Sequence, residues 1–250
     1  RGLGDVYKRQ KLYKYPNSTR SLIEGNRHYD VSNEILPSVT TILQATQSEE
    51  KTASLARWKS KVGEKEAERI KIASATRGTS MHKYLENYVI GKGYEDLTEL
   101  GQETKRMAQK VIDVGLAPVS EYFGSEVTLY YPGLYAGSTD LVGIHNDKET
   151  IIDFKQANRP KREEWIGDYK LQAGAYAMAH DQVHGSNIEQ CVIMVCTPDL
   201  YYQEFKVEGL ELRRWKHKFL KRLDMYHDLI HDEKERTTPM KAEDFNEPKT

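Results

Sequence analysis

Apolar positions along this chain change their spacing midway, and the change separates two kinds of structure. Val39, Ile42 and Leu43 begin a set that recurs every three or four residues. It continues through Leu55, Trp58 and Val62, then Ile70, Ile72 and Ala73, then Met81, Leu85 and Val89. Such spacing gathers the apolar side chains on one face of an α-helix and predicts helical structure from about 50 to 90. Leu36-Pro37-Ser38-Val39-Thr40 reads as the start of the first helix, with Ser38 or a neighbouring threonine as its cap, and Gly91 and Gly93 close the block. A further helix is expected over 95–115, ended by Gly115 and Pro118. Beyond it the period falls to two. Segments 124–131, 134–145 and 149–155 are rich in Val, Ile, Thr and Tyr and are separated by Pro132-Gly133 and Asn146-Asp147, both turn pairs. These predict a strand meander. A helix over 163–181, a buried strand over 189–197, an edge strand over 201–207 and a long amphipathic helix over 208–233 follow. Leu212, Trp215, Phe219, Leu223, Tyr226 and Ile230 share one face of that last helix. Residues 11–36 are polar and turn-rich, and only a loose hairpin is expected there.

Helices, three strands, a helix, two strands and a helix predict an α/β fold with a central mixed sheet flanked by helices, preceded by a helical region. The expected divisions are an N-terminal extension at 1–35, a helical region at 36–118, a core at 119–233 and a disordered tail at 234–250. Residues 1–10 look like translated adapter read-through and carry no weight in the fold.

Composition narrows the function. A chain of 250 residues, 38% apolar and 30% charged, can bury one good core. Its net charge of −1 gives no global positive field, so contact with a nucleic acid has to come from local patches. Three basic clusters qualify: Lys155, Arg159, Lys161 and Arg162; the early helices from Arg57 to Arg77; and the outer face of the last helix. Cys191 and Cys196 lie five apart in an apolar run, so on one strand they face opposite sides and remain free thiols in a reducing compartment. No apolar run reaches the roughly 18–20 residues of a membrane-spanning helix. No targeting segment is visible, so a cytoplasmic setting in a bacterial or phage-infected cell is expected.

The candidate chemistry centres on Ile151-Ile152-Asp153-Phe154-Lys155. Strand periodicity puts Asp153 and Lys155 on one face, and Gly137-Ser138-Thr139-Asp140 brings a second carboxylate from the preceding strand. Hydrolysis of a phosphodiester needs an activated water and relief of charge on the departing oxygen, which Mg²⁺ or Mn²⁺ held by carboxylates supplies. Asp140, Asp153 and the backbone carbonyl of Phe154 suffice as hard ligands, and Lys155 then orients the water or neutralises the transition state. Gln172 and Tyr176 share a helix face and can hold a water, a phosphate or a base. Ala173, Gly174, Ala175 and Ala177 suggest that this helix packs closely on the sheet. His82 is a candidate further ligand, Glu126 can complete the shell, and Arg77 is a candidate phosphate contact. Trp58, Tyr84 and Tyr88 are candidates for stacking on unpaired bases, and Arg159 and Lys161 for holding the backbone.

Taken in order, His82, Glu126, Gly137-Ser138-Thr139-Asp140, Asp153-Phe154-Lys155 and Gln172-x-x-x-Tyr176 resemble the PD-(D/E)XK nuclease superfamily, in particular its RecB-like exonuclease branch. The likeness takes in Leu36-Pro37-Ser38-Val39-Thr40-Thr41-Ile42-Leu43, Arg77-Gly78-Thr79-x-x-His82 and the helix of Trp215, and covers roughly residues 27–233. It departs from the pattern where Thr139, not proline, precedes the first acid. The resemblance implies a restriction-endonuclease-like core and an exonuclease of single-stranded DNA ends, monomeric, acting in repair, recombination or replication. Asp140 and Asp153 would be its metal ligands, Lys155 would be catalytic, and His82 would join the ligand set. Related nucleases with an iron–sulfur cluster need four cysteines, and two cannot supply one. A helical arch over 49–90 that admits single strands and refuses duplex is the expected source of selectivity. The alternatives are a structure-specific endonuclease on the same core, or a non-catalytic DNA-binding module.

Overall fold

A computed structural model describes residues 12–237, with side chains to 232; residues 1–11 and 238–250, including the expected read-through and most of the expected tail, lie outside the described residues. The N-terminal segment is more ordered than a loose hairpin. Strands β1 (Ser18–Ile23), β2 (Asn26–Val31) and β3 (Glu34–Pro37) form an antiparallel meander. Its two turns, Glu24-Gly25 and Ser32-Asn33, all have positive φ, the two-residue hairpin geometry whose twist matches the flanking strands. β3 runs through Leu36 and Pro37 and across the expected boundary at 35/36, so the first helix begins only at Val39.

Helix α1 (Val39–Ala45) is capped by Ser38, whose hydroxyl accepts the Thr41 N–H at 3.0 Å. Its far end is held by Arg222, which donates to the Leu43 carbonyl at 2.6 Å and to the Thr46 hydroxyl. Helices α2 (Glu49–Val62) and α3 (Glu64–Ile90) meet at Gly63, whose φ of 86° turns the chain sharply, and α3 ends at Gly91 in the left-handed region. α2 buries no side chain, and Ala67 is the one buried residue in the first half of α3. Helix α4 (Glu99–Lys110) continues into a wider turn at Val111–Gly115.

The core sheet runs in the order β4 (Val119–Tyr131), β5 (Tyr135–His145), β6 (Lys148–Gln156), β7 (Gln190–Cys196), β8 (Tyr202–Glu208). Only β6 and β7 are parallel, and α5 (Gly167–His184) is the crossover between them. The final helix, α6, spans Gly209–Thr237 and so runs past Lys234, where disorder was expected to begin. Strand alternation sorts the core into two layers. Val142, Ile151, Cys191, Ile193 and Val195 pack under α1, α5 and α6, while Leu141, Ile152, Phe154, Val192, Met194 and Cys196 pack under α3 and α4. The fold is a restriction-endonuclease-like α/β core with helices on both faces of a mixed sheet. The two cysteines are buried on opposite faces, where burial pushes their thiols up to about 12 and about 11.

Gly174 packs against the backbone of α6 at Trp215 and Lys216, not against the sheet as expected; a β-carbon there would lie 2.8 Å from the Lys216 nitrogen. The neighbouring alanines, Ala173, Ala175 and Ala177, are buried in the sheet-facing layer. α5 is thus clamped between sheet and α6, which fixes the residues it presents to the cleft described below.

Candidate active site

β5 and β6 pair only as far as Leu141 and Ile152. Past that point the strands part: β5 stays with β4 and β6 with β7. The next rung is replaced by side chains. The Phe154 N–H donates to the Asp140 carboxylate at 2.5 Å, and the Thr139 hydroxyl donates to the Ile152 carbonyl at 3.3 Å. Opening a sheet between two central strands frees backbone groups, and these substitutes satisfy them. Asp140, Asp153 and Lys155 lie on the α5 face of this opening. Because N–H and C=O of one strand residue point to the same edge, the Phe154 carbonyl also faces the gap.

His82, on α3, meets Asp140 from the other side, with 3.2 Å between Nδ1 and Oδ1. Glu126 lies opposite Asp140 on β4 and reaches to 3.9 Å from His82. Its φ is 51°, a left-handed backbone that costs a non-glycine residue on the order of 1–3 kcal/mol and here aims a carboxylate into the cleft. Ligand atoms of His82, Glu126 and Asp140 all lie within 4.8 Å of one another. Asp153 adds a buried carboxylate; its Oδ2 has no hydrogen bond and is contacted by the Lys155 ammonium. The His82, Glu126 and Asp140 atoms, with Asp153 beside them, could hold a divalent cation.

The electrostatics of these groups are tightly linked. Burial alone would raise the Asp140 carboxyl, but His82, Lys155 and the Phe154 N–H outweigh it and bring it to about 2. Asp153 moves the opposite way, pushed up to about 6 by burial and the Asp140 carboxylate against the pull of Lys155. Burial also works against the charged form of His82, yet the facing Asp140 and Glu126 carboxylates raise it to about 10. For Lys155, burial is outweighed by Asp153 and Asp140, which keep the ammonium charged. A buried carboxylate crowded by another, balanced by Lys155 and the protonated His82, is where an added cation is stabilised. Such a cation would displace the His82 proton to use its ring nitrogen.

The other residues singled out from sequence divide into two groups. Gln172 and Tyr176 reach the site, but as supports. The Lys155 ammonium donates to the Gln172 side-chain oxygen at 3.2 Å, and the Gln172 amide donates to the Tyr176 hydroxyl at 3.0 Å. Tyr176 is buried with its ring against Gly137, where a β-carbon would lie 2.5 Å from the ring, and it lines the same cavity as Asp140, Asp153 and Lys155. Arg77 is turned away from the cleft: it donates to Glu103 at 2.6 Å and to Asn158 at 3.1 Å. Arg159 is exposed after β6, while Lys161 is pinned through its backbone to Gln203. Trp58 and Tyr88 are partly exposed, whereas Tyr84 is buried and bonded to the backbone of Asp96. Sequence reasoning missed Arg20 and Arg27, which line the same cavity of about 150 Å³ as Asp140, Asp153 and Lys155. They belong to the segment read as a loose hairpin, and nothing local in it signalled where the hairpin would dock.

Two curated proteins are similar over most of the chain. Mitochondrial genome maintenance exonuclease 1 of Xenopus tropicalis is 28% identical over 208 residues, which cover 78% of this chain and 58% of that protein. The protein of the same name from Mus musculus is 30% identical over 224 residues, 81% of this chain and 64% of that one. The chain thus spans about three fifths of the length of these relatives. Among solved structures, a candidate exonuclease from Eubacterium rectale superposes with a TM-score of 0.47 at 11% identity, covering 63% of this chain and 66% of that one. No family model matches the chain. Among the described residues no helix is long and apolar enough to cross a membrane.

Proposed function

We propose that this chain, which belongs to the PD-(D/E)XK nuclease superfamily and is related to the mitochondrial genome maintenance exonucleases, is a divalent-metal-dependent exonuclease that degrades single-stranded DNA from an end. The observation that carries the reading is the convergence of Asp140, Asp153 and Lys155 with His82 and Glu126 where β5 and β6 part. His82, Glu126, Asp140, Asp153 and the Phe154 carbonyl would hold the cation, which when bound would supply Lewis acidity toward water and the phosphoryl oxygens. The chain's own residues do the rest. Lys155, kept charged by its carboxylate neighbours, donates to a non-bridging oxygen as negative charge builds on it. Gln172 fixes the direction of that ammonium, and Tyr176 fixes Gln172. α3 lines one cavity that adjoins the catalytic one and Lys51 of α2 lines another, and a strand bounded by these helices would be single rather than duplex.

End-labelled linear and circular single strands, incubated with Mg²⁺, Mn²⁺ or EDTA, test the proposal. Linear DNA should be shortened from an end with either metal, circles should stay intact, and EDTA should stop the reaction. Asp153→Ala and Lys155→Ala should each lose on the order of 10²–10³ in kcat while still binding DNA without metal. Circles opened as fast as linear strands, or near-normal rates in both variants, would sink the assignment.

A further inference from the structure

We infer that Arg20 and Arg27 of the N-terminal meander form a clamp for the phosphates of the single strand next to the bond being cut. The inference rests on the nuclease reading above and adds to it a subsite built by an element outside the core sheet.

The placement follows from strand alternation. Ser18 meets the core through its hydroxyl, 2.6 Å from that of Thr128, and Tyr29, Val31 and Leu36 bury against Ala136. These positions define the inward face of the meander. Arg20 is paired across from Tyr29, two residues on from Ser18, and Arg27 precedes Tyr29 by two. Both arginines therefore continue the inward face past the point where apolar packing ends, and both line the catalytic cavity. The outward face of β1 and β2 carries Thr19, Ser21, Ile23, Asn26, His28 and Asp30, without a lysine or arginine. Charges that served only solubility would sit on that outer face.

Among the described residues no side chain neutralises the pair: neither arginine is in an ion pair with a carboxylate, although Glu126, Asp140 and Asp153 line the same cavity. Arg20 lies over the Tyr29 ring at 5.6 Å, which orients its guanidinium while leaving its N–H groups unused. The Arg27 carbonyl accepts the Ser38 N–H and the Thr41 hydroxyl, each at 2.9 Å, and so ties this position of β2 to the start of α1. A planar fork of donors held at a fixed place is suited to a phosphodiester, which it can grip through two oxygens.

The cavities also give the strand a path. The catalytic one shares Arg20, His82 and Glu126 with a cavity of about 540 Å³ along the C-terminal half of α3. On its other side it shares Thr40, Lys155 and Gln172 with one of about 460 Å³ beside Lys51 and Asp168. Arg20 stands at the first junction. A strand crossing the site from one large cavity to the other passes the arginine pair immediately before or after Lys155.

The test is metal-free binding of a fluorescent oligothymidylate in EDTA, followed by anisotropy across a range of salt. Each phosphate released from a cation should flatten the plot of log affinity against log salt by about 0.7, so Arg20→Gln and Arg27→Gln should each show that change and the double variant about twice it. KM for linear single strands should rise in step under cleavage conditions. Ser21→Arg, on the outward face, should leave the slope where it was. Thermal melting of each variant checks that the meander still docks, and Arg27→Gln removes no stacking contact, so it stands if Arg20→Gln unfolds. Wild-type slopes in the glutamine variants would overturn the clamp while leaving the nuclease reading intact. A wild-type chain that neither binds nor shortens single strands would remove both.

Discussion

Lys155 is held from three directions: the Asp153 carboxylate, the Gln172 oxygen at 3.2 Å and the Tyr169 ring at 5.3 Å. The roles proposed for it in charge relief and substrate contact depend on that orientation, so Gln172 would act on the reaction through the lysine. Gln172→Ala removes a hydrogen bond to a charged donor and should lower kcat about tenfold, with KM and melting temperature changing far less. An effect confined to KM would show instead that Gln172 touches DNA. A second residue-scale expectation concerns His180, buried beside Tyr13, Tyr15 and His184. Ser186 donates its hydroxyl hydrogen to Asp181, so it accepts from His180 Nδ1, and Tyr15 donates to Nε2. The neutral ring is satisfied at both nitrogens, whereas a second proton would face the Tyr15 donor. Burial, with His184 beside it, lowers His180 to about 3. The unfolded chain, with an ordinary histidine near 6.5, binds more protons between those values, so stability rises with pH there. This contribution is complete above about pH 6.5 and is lost as pH falls toward 3. Melting temperatures from pH 7.5 down to 5 should fall less steeply in His180→Gln than in the parent. Equal slopes would place the acid sensitivity elsewhere.

At the scale of elements, the clamping of α5 between the sheet and α6 sets how precisely Gln172 and Tyr176 meet the cleft. Gly174→Ala pushes a methyl into the α6 backbone, which a flexible side chain cannot yield to, and should cost about 1–3 kcal/mol in thermal or denaturant unfolding. A neutral result would mean that α6 shifts freely along α5. The same element shows what a sequence can and cannot tell. Alternation in Cys191 to Cys196 already separated the two faces of β7, and the turn pair Asn146-Asp147, both at positive φ, marked the β5–β6 hairpin. Asp153 and Lys155 were legible as one face of one strand. The four-residue spacing of Gln172 and Tyr176 was legible too, but spacing cannot say whether a helix face looks into a cleft or a core. Tyr176 turned out to be buried because Gly137, thirty-nine positions earlier, leaves room for its ring. The meander was missed for a related reason. Glu24-Gly25 and Ser32-Asn33 each contain only one residue that favours positive φ, and its inward stripe becomes visible only once Ala136 and Thr128 are beside it.

For the molecule as a whole, the proposed preference for single-stranded ends would depend on how the α2–α3 pair is attached. α2 is 14 residues, about 21 Å, and buries no side chain, so packing on the core does not hold it in place. Its start is tied to the beginning of α5 by Lys51 and Asp168, an exposed pair worth little energy. Its return is tied to the end of β6, where Ser74 donates to Gln156 at 3.2 Å and to Asn158 at 3.1 Å. On the proposed reading, the chain between these points arches over the cleft beside Lys155. A free end can be fed beneath such an arch, a circle cannot unless the arch opens, and duplex is too bulky. Removing the arch separates this explanation from one based on the cleft alone. Replacing residues 50–74 with a Gly/Ser linker of about ten residues should leave the core folded, because Ala67 is the one buried side chain lost. The shortened protein should open circular single strands that the full chain is expected to leave intact, and should narrow any difference in rate between blunt duplex and unpaired DNA. Circles left whole by a folded, active, arch-free protein would place the need for an end in the cleft itself, and the arginine pair beside it would become the first place to look.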